Sequence, residues 1–398
     1  MPKFVIAGAG IGGLAAALAL QQRGWEAVVY EQQPERREAG AGIVLAANAM
    51  KALEALGAAE AVRRVGSPVK QGMILTPSGR SITQLPVEAQ ALRFGSESWM
   101  IHRARLHAAL HSLLIPGTVQ YGKRLTRFLQ TPGRVTLYIE GREQPIIADA
   151  LIGADGIHSL VRETLFGSSP LRYAGFTALR GICTYPAARR SSELAEGFEI
   201  WGPGVRFGVT PIDRDNLFWF LAISGAEGQP ISKGQRKQAA LREVEGWLPD
   251  VASVIHATDE DEVLVHDIYD RDPLHRWSEC RITLLGDAAH PMLPNLGQGG
   301  AQALEDALVL THCLDRHGAG TQPTAAFREY ERIRIPRTTR IVHASRRMGR
   351  LVQLKHPLAI AVRNAVLRTV PSELQLRQLD WLIGHDVLDT FGPPQPQH

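Results

Sequence analysis

The sequence predicts an α/β protein: a strand–helix–strand unit opens the chain, a mainly β region is inserted in the middle, and helices close it. Three observations carry this prediction. KFVIAGA (3–9) is β-branched and aromatic and ends in glycine, GGLAAALALQQRG (12–24) is rich in alanine and leucine up to a glycine stop, and AVVYE (27–31) is strand-like again. Strand, helix and strand within about thirty residues make one βαβ unit of Rossmann-like character. From about 172 to 270 the texture changes, and ALRGICTYP, FEIWGPGVRFGVTPI and NLFWFLAIS are aromatic runs split by Gly, Pro and Asp turns. ITLLGDAAH (282–290) then returns to strand-into-helix chemistry, and the last seventy or so residues read as largely helical.

Between these landmarks, ANAMKALEALG (47–57) predicts a helix with a glycine stop, and IHRARLHAALHSLL (101–114) predicts another, with leucines at helical spacing. RVTLYIE (134–140) and ADALIGADG (148–156) read as strands. The expected organisation is a discontinuous Rossmann-like domain over 1–70, 96–171 and 275–330, a β-rich domain over 71–95 and 172–274, and C-terminal helices over 331–398. The tail FGPPQPQH (391–398) is expected to be mobile.

The chain has 398 residues, 44% hydrophobic and 21% charged, which is a globular balance with ample core for two or three domains. Its net charge of +4 arises from 44 basic and 40 acidic residues spread along the chain, so nucleic acid is not an expected partner. Cys183, Cys280 and Cys313 are widely separated and lack metal-ligand spacing. They read as thiols in a reducing compartment, and no metal is expected. The alanine-rich N-terminus has the flavour of a signal peptide, but its glycine spacing and the acid at Glu31 fit a folded unit better. With no apolar run of about 18 residues, no membrane span is expected and the protein reads as cytoplasmic, a monomer or homodimer.

Three motifs carry chemistry. Gly8, Gly10 and Gly13 hold the positions of a G-x-G-x-x-G turn after a strand and before a helix, with Gly12 beside them. The first glycine permits the turn, the second lets a pyrophosphate approach the backbone, and the third lets helix pack on strand. Amides at the helix start then face phosphate charge. Glu31, 23 residues after Gly8, suits a ribose hydroxyl pair; a glycine-rich turn with no ligand is the alternative. GADGIHSLVR (153–162) alone reads as a strand ending in an Asp-Gly turn. In GDAAHPMLPNLGQGG (286–300), Asp287 sits at a strand end, Pro291 and Pro294 stiffen the path, and Gly297, Gly299 and Gly300 allow backbone to approach a flat ligand.

The ordered set GAGIGG followed by Glu31, then HRARL, GADGIHSLVR and GDAAHPMLPNLGQGG, resembles the single-component FAD-dependent monooxygenases of the aromatic hydroxylase type, the group around para-hydroxybenzoate and salicylate hydroxylases. The resemblance covers nearly the whole chain, and the wording PNLGQGG (294–300) is nearest to the urate hydroxylase and zeaxanthin epoxidase branches. It implies that Gly8, Gly10, Gly12 and Gly13 line the pyrophosphate of a non-covalent FAD and that Glu31 binds the adenosine ribose. Arg103 would contact the flavin side chain or pyrophosphate, and Leu125 the adenine. Asp155 and Gly156 would meet both FAD and NAD(P)H. Asp287 would bind the ribityl or pyrophosphate region, and Gly297, Gln298, Gly299 and Gly300 would lie along the isoalloxazine. GAGI (40–43), with Gly42 and Ile43, would take the ring's other face.

On the substrate side the resemblance points to Arg206, Phe218 and Arg180. The chain has Phe218 where the urate branch uses Tyr, and Arg180 near where it has Asn, which points away from urate itself. A salt-bridged strand arginine is the alternative for Arg206, and two of Phe218, Trp219 and Phe220 are expected to be plain core. His290 and His102 read as packing or hydrogen-bonding residues, and the basic cluster from Arg332 to Arg350 as a solvated helix face or a dimer contact. The implied reaction hydroxylates an aromatic or heteroaromatic small molecule with O2 and NADH or NADPH, through a flavin hydroperoxide. Pro294 and the Gly299 and Gly300 amides would exclude water and stabilise that species. No second Rossmann motif is present for the nicotinamide coenzyme. Epoxidation of an alkene and a non-catalytic FAD-fold binding protein stand as alternatives.

Overall fold

The structure is a computed structural model that describes residues 1–36, 41–229, 231–318 and 323–391. Its first sheet has six strands in the order Ser278–Glu279, Ile282–Leu284, Ala150–Gly153, Lys3–Ala7, Glu26–Tyr30 and Val119–Gln120. All neighbours are parallel except the first pair. Lys3–Ala7 is central, and Phe4, Ile6, Leu151 and Ile152 are fully buried, as the near-continuous apolar runs of a strand covered on both faces require. Helix Ile11–Gln22 packs closely with helix Gly299–Arg316.

This topology lines up the strand ends that carry the motifs. The Gly8 amide donates to the Tyr30 carbonyl at 2.8 Å, Ala154 to Ala7 at 2.9 Å, and Leu285 to Gly153 at 2.9 Å. Segments 130 and more residues apart therefore leave the sheet at one edge. In an open parallel sheet that carboxyl edge is where ligands bind.

A second sheet of seven strands runs Leu264–Asp270, Arg172–Thr184, Asn216–Ser224, Val205–Pro211, Phe198–Trp201, Gly72–Leu75 and Ser81–Leu85. Residues alternate between its faces. Leu179, Cys183, Leu217, Trp219 and Leu221 point to one side, into a core with Val251, Val254 and Ile255 of helix Pro249–Ala257. Arg180, Ile182, Phe218 and Phe220, paired across Arg172–Thr184 and Asn216–Ser224, share the other side. Ile182, Phe218 and Phe220 there join Met100, Ile212, Ala41 and Val44.

Local sequence signals gave way in several places. The helix expected over 101–114 spans Arg103–Ser112, because Ile101 and His102 belong to strand Trp99–His102, which pairs antiparallel with Gly42–Leu45. The β region also contains helices Arg236–Glu243 and Pro249–Ala257, and 71–95 ends in helix Val87–Phe94. ITLLGDAAH runs from strand Ile282–Leu284 into a single 3-10 turn, Gly286–Ala288, and the helix waits until Gly299. Three helices, Pro323–Val352, Pro357–Thr369 and Ser372–Leu379, account for the helical C-terminal region. Gly40 of the GAGI segment and tail residues 392–398 lie outside the described residues. No helix among the described residues is long and apolar enough to cross a membrane.

Candidate active site

The glycine turn is built for close approach. At Gly8, with φ +99°, a Cβ would stand 2.5 Å from the Ala154 carbonyl oxygen, and one at Gly13 would stand 2.0 Å from the Gly8 carbonyl oxygen. A Cβ at Gly12 would lie 2.6 Å from Leu285 Cδ2. At Gly10 it would meet nothing within 4 Å, so the outer face of the turn is open. Helix Ile11–Gln22 begins there without a side-chain cap, and its first-turn amides are the ready donors of an anion site. Glu31 stands against the same turn: its Oε2 accepts from the Ala9 amide and its Oε1 from the Gln33 amide, each at 2.8 Å.

His107, which the sequence did not single out, grips the turn from the far side, its Nε2 lying 2.7 Å from the Ala9 carbonyl. Burial holds its pKa below the usual range, with the Ala9 contact opposing. Its only signal was its place in HRARLH, one helical turn after Arg103. Leu125 opens strand Leu125–Gln130 and is buried in the main core.

In GADGIHSLVR the Asp155 carboxylate accepts from the Ser159 hydroxyl and, at 3.2 Å, from the Val161 amide. Ser159 in turn caps helix Leu160–Phe166 through the Arg162 amide at 2.9 Å. The Asp155 side chain is thus engaged with its own helix, leaving the backbone of Asp155 and Gly156 (φ +80°) for any ligand. Burial raises the Asp155 pKa, and these hydrogen bonds oppose the rise. Buried Arg162 donates to the carbonyls of Ala288 and Ala289 at 3.1 and 3.0 Å, tying this motif to the next.

Segment 286–300 rests on a buried ionic network. Asp306 accepts from the Gly286 amide at 3.0 Å, from His290 Nε2 at 2.6 Å and from Arg334 Nε at 2.7 Å. Glu305 binds Arg334 Nη1 at 2.6 Å, Arg337 Nε at 2.7 Å and Asn48 Nδ2 at 2.7 Å. Asp306, Glu305 and Arg334 are all 0% exposed. The surrounding cations hold both carboxyls below their usual range against strong desolvation, Glu305 at about 2. This corrects the expectation of a solvated basic face over Arg332 to Arg350: Arg334 and Arg337 turn inward because two buried acids need counter-charge. His290 is a hydrogen-bonding residue, as expected. The Gln298 side chain is also fully buried, accepting from Asn48 at 3.0 Å and from Gln302 at 3.0 Å, so only its backbone can meet a cofactor.

Above the network, Asp287 is exposed to the cleft, with Oδ1 4.0 Å from where a Gly299 Cβ would stand. The protein mass around it raises its pKa, opposed by His290 and Arg103. Pro294 opens the 3-10 turn Pro294–Leu296, and Gly297 ends it at φ +62°. A Cβ at Gly297 would be 2.6 Å from Val44 Cγ1, and one at Gly300 would be 2.9 Å from Ile43 Cδ1. The two segments that the resemblance puts on either side of a flavin ring therefore face each other. Helix Gly299–Arg316 begins there, again without a side-chain cap or an acid in its first turn.

The second sheet closes the site from below. A Gly42 Cβ would lie 2.5 Å from the Phe218 ring, so Phe218, 6% exposed, packs directly beneath that strand. Arg180 is half-buried; desolvation, then the charge of Arg103, lowers its pKa, and it has no ion pair among the described residues. Arg206 is salt-bridged, as its alternative reading had it: Nε and Nη2 reach Glu199 at 2.8 and 2.6 Å. It also reaches Asn295 Oδ1 at 3.4 Å and stacks over Phe220 at 5.0 Å, which joins it to the 286–300 segment. Trp219 is core on the opposite face, bonded to Thr258.

A parallel-sheet edge that gathers a G-x-G-x-x-G turn, an uncapped helix start and a glycine-rich segment packed against Ile43 and Val44 is the arrangement of a flavin-dependent oxidoreductase. The fit to FAD is direct, since the Gly10 face is open where its neighbours are closed. Residues 2–345 match the model of the FAD binding domain family, and the chain belongs to that family. It is 36% identical to aurachin C monooxygenase/isomerase of Stigmatella aurantiaca over 370 residues, 93% of this chain and 94% of that one. It is 33% identical to 6-hydroxynicotinate 3-monooxygenase of Bordetella bronchiseptica, covering 86% of this chain and 90% of that one. Among solved structures it resembles Klebsiella pneumoniae HpxO complexed with FAD and uric acid, with a TM-score of 0.88, 29% identity and 96% of each chain covered. The protein is an FAD-dependent monooxygenase of the kind that acts on aromatic and heteroaromatic substrates.

Proposed function

We propose that the protein hydroxylates an anionic or readily ionised aromatic or heteroaromatic molecule, using O2 and NADH or NADPH. The carrying observation is Arg180: a half-buried cation without an ion pair among the described residues, on the same sheet face as Ile182, Phe218 and Phe220. A half-buried cation wants a counter-charge. A phenolate, carboxylate or deprotonated heterocycle supplies one, and its ring packs on the aromatic face.

FAD, when bound and reduced, supplies an electrophilic oxygen from O2. The chain's residues do the rest. Gly8, Gly10, Gly12, Gly13 and Glu31 hold the dinucleotide, with Arg103 and Asp287 nearer the flavin. Gly42, Ile43, Gly297, Gly299 and Gly300 bracket the ring. The Gly299 and Gly300 amides and the stiff Pro294 turn keep water from the reacting face. Arg180 and Arg206 orient the substrate above Phe218. On this reading 1–70, 96–171 and 275–330 form the FAD-binding domain and 71–95 with 172–274 the substrate domain, in a cytoplasmic monomer or homodimer. The relatives favour neither epoxidation nor a non-catalytic role.

The test is a panel of aromatic acids, phenols and N-heteroaromatics, scored by stimulated NAD(P)H oxidation and product mass. A product heavier by one oxygen is expected for an anionic ring. Peroxide as the sole product across the panel would overturn the reading.

A further inference from the structure

Beside segment 286–300 lies a half-open cavity of about 800 Å³, within the size range of small-molecule sites. Arg172, Arg346, Arg347, Arg350, Lys355 and His343 line it, and no acid does. Two of these cations are already balanced. Buried Asp270 receives Arg172 Nε at 2.8 Å and Arg346 Nε at 2.7 Å, and Asp272 receives Arg346 Nη1 at 2.8 Å. Arg347, Arg350 and Lys355 have no ion pair among the described residues. Three uncompensated positive charges thus converge on one hollow.

The remaining lining combines apolar and small residues, Phe176 and Leu293 with Gly175, Gly225 and Gly349, with one polar pair, Ser224 donating to Gln353 Oε1 at 3.0 Å. A planar group can lie on such a floor while its anionic substituents reach the rim. A carboxylate would leave most of the charge unanswered, whereas a pyrophosphate, with or without a further phosphate, matches it.

The cavity also adjoins segment 286–300. Leu293 belongs to segment 286–300 and packs on Phe176, Ala178 and Ala222, one step along the sheet face from Arg206. A Cβ at Gly349 would stand 2.5 Å from Asn295 Nδ2, the amide that also contacts Arg206.

We propose that this cavity binds the phosphate-bearing adenosine end of the nicotinamide coenzyme. The proposal rests on the function proposed above, which calls for such a coenzyme in a chain with no second Rossmann motif. The one pyrophosphate-binding turn is assigned to FAD, and this hollow has the charge and size for a second dinucleotide.

The test titrates the purified flavoprotein with ADP-ribose, 2′-phospho-ADP-ribose and inorganic pyrophosphate by calorimetry at low salt. Arg350→Glu and Lys355→Glu are run alongside, with FAD absorbance as the check on folding. Binding of the ADP-ribose probes is expected, weakened about tenfold or more by each reversal, because a charge-assisted phosphate contact is replaced by repulsion. The better of the two probes names the coenzyme. No binding to the wild type, equal binding to the reversed variants, or pyrophosphate binding as tightly as ADP-ribose would each overturn the nucleotide site. NAD(P)H consumption stimulated by an aromatic ligand, with a coenzyme KM untouched by the reversals, would overturn the site and leave the proposed function standing. Charge-sensitive ADP-ribose binding without any NAD(P)H oxidation would do the reverse.

Discussion

Replacing Arg334 with Met isolates what the buried network does for the segment above it. The change keeps an unbranched apolar chain but deletes the guanidinium that bonds Asp306 at 2.7 Å, Glu305 at 2.6 Å and Gln302 Oε1 at 2.7 Å. Arg337 still answers Glu305, at 2.7 Å. Asp306 is left with His290 and the Gly286 amide. Removing one partner of a fully buried pair costs about 3–5 kcal/mol. The ceiling is set by protonation of the stranded carboxyl.

For a chain of this length that corresponds to a fall in melting temperature of about 4–6 °C. Circular dichroism at pH 7 measures it, and gel filtration measures retained FAD, which should fall because Asp306, the anchor of Gly286 and His290, loses its own counter-charge. The acid limb supplies an independent check. Glu305 and Asp306 have folded pKa values below their unfolded ones, Glu305 at about 2. Their ionisation therefore stabilises the fold above the unfolded values of about 4. That contribution is lost as pH falls through the folded values. Arg334→Met should flatten the slope of stability over this window, because the folded pKa values rise back. A loss below about 1 kcal/mol together with an unchanged acid slope would refute the network's role.

Other substitutions separate packing from ligand binding. Gly10→Ala adds a methyl where nothing lies within 4 Å, at an ordinary φ of −68°; apoprotein stability should hold within about 0.5 kcal/mol while FAD affinity falls tenfold or more. Gly13→Ala drives a Cβ to 2.0 Å from a backbone oxygen, so melting should show a loss of about 3 kcal/mol. Asp287→Ala should lower FAD occupancy, read from the ratio of flavin to protein absorbance, with the circular dichroism spectrum retained; full flavination would remove Asp287 from the site. Arg206→Ala should change substrate stimulation more than flavin content, and by stranding Glu199 it should raise that carboxyl's depressed pKa.

Local signals reached far into this protein. The glycine turn at residues 8 to 13, the acid at Glu31, and the Asp-Gly and proline-glycine segments each declare themselves within a few residues, because turns and strand ends depend on backbone freedom close by. The side-chain directions were not local. Asp155, which the resemblance places at FAD and NAD(P)H, engages its carboxylate with the Ser159 hydroxyl and the Val161 amide of its own helix. Gln298, which the resemblance lays along the isoalloxazine, turns its side chain into the core and leaves its backbone for that role. His107 gave almost no signal because its partner is the Ala9 carbonyl, 98 residues away.

The basic run near the C-terminus shows the division most clearly. In the sequence, Arg334, Arg337, Arg346 and Arg350 are alike in chemistry and sit on one long helix. The fold separates them by what each meets: Arg334 and Arg337 neutralise Glu305 and Asp306, Arg346 pairs with Asp270, and Arg350 faces an open cavity. The sequence by itself determined the α/β class and the glycine-rich turns at residues 8–13 and 297–300, since these follow from periodicity and backbone geometry. Only the tertiary structure decided which charges are buried and paired and which stay unpaired, because a charge's environment is set by residues from elsewhere in the chain.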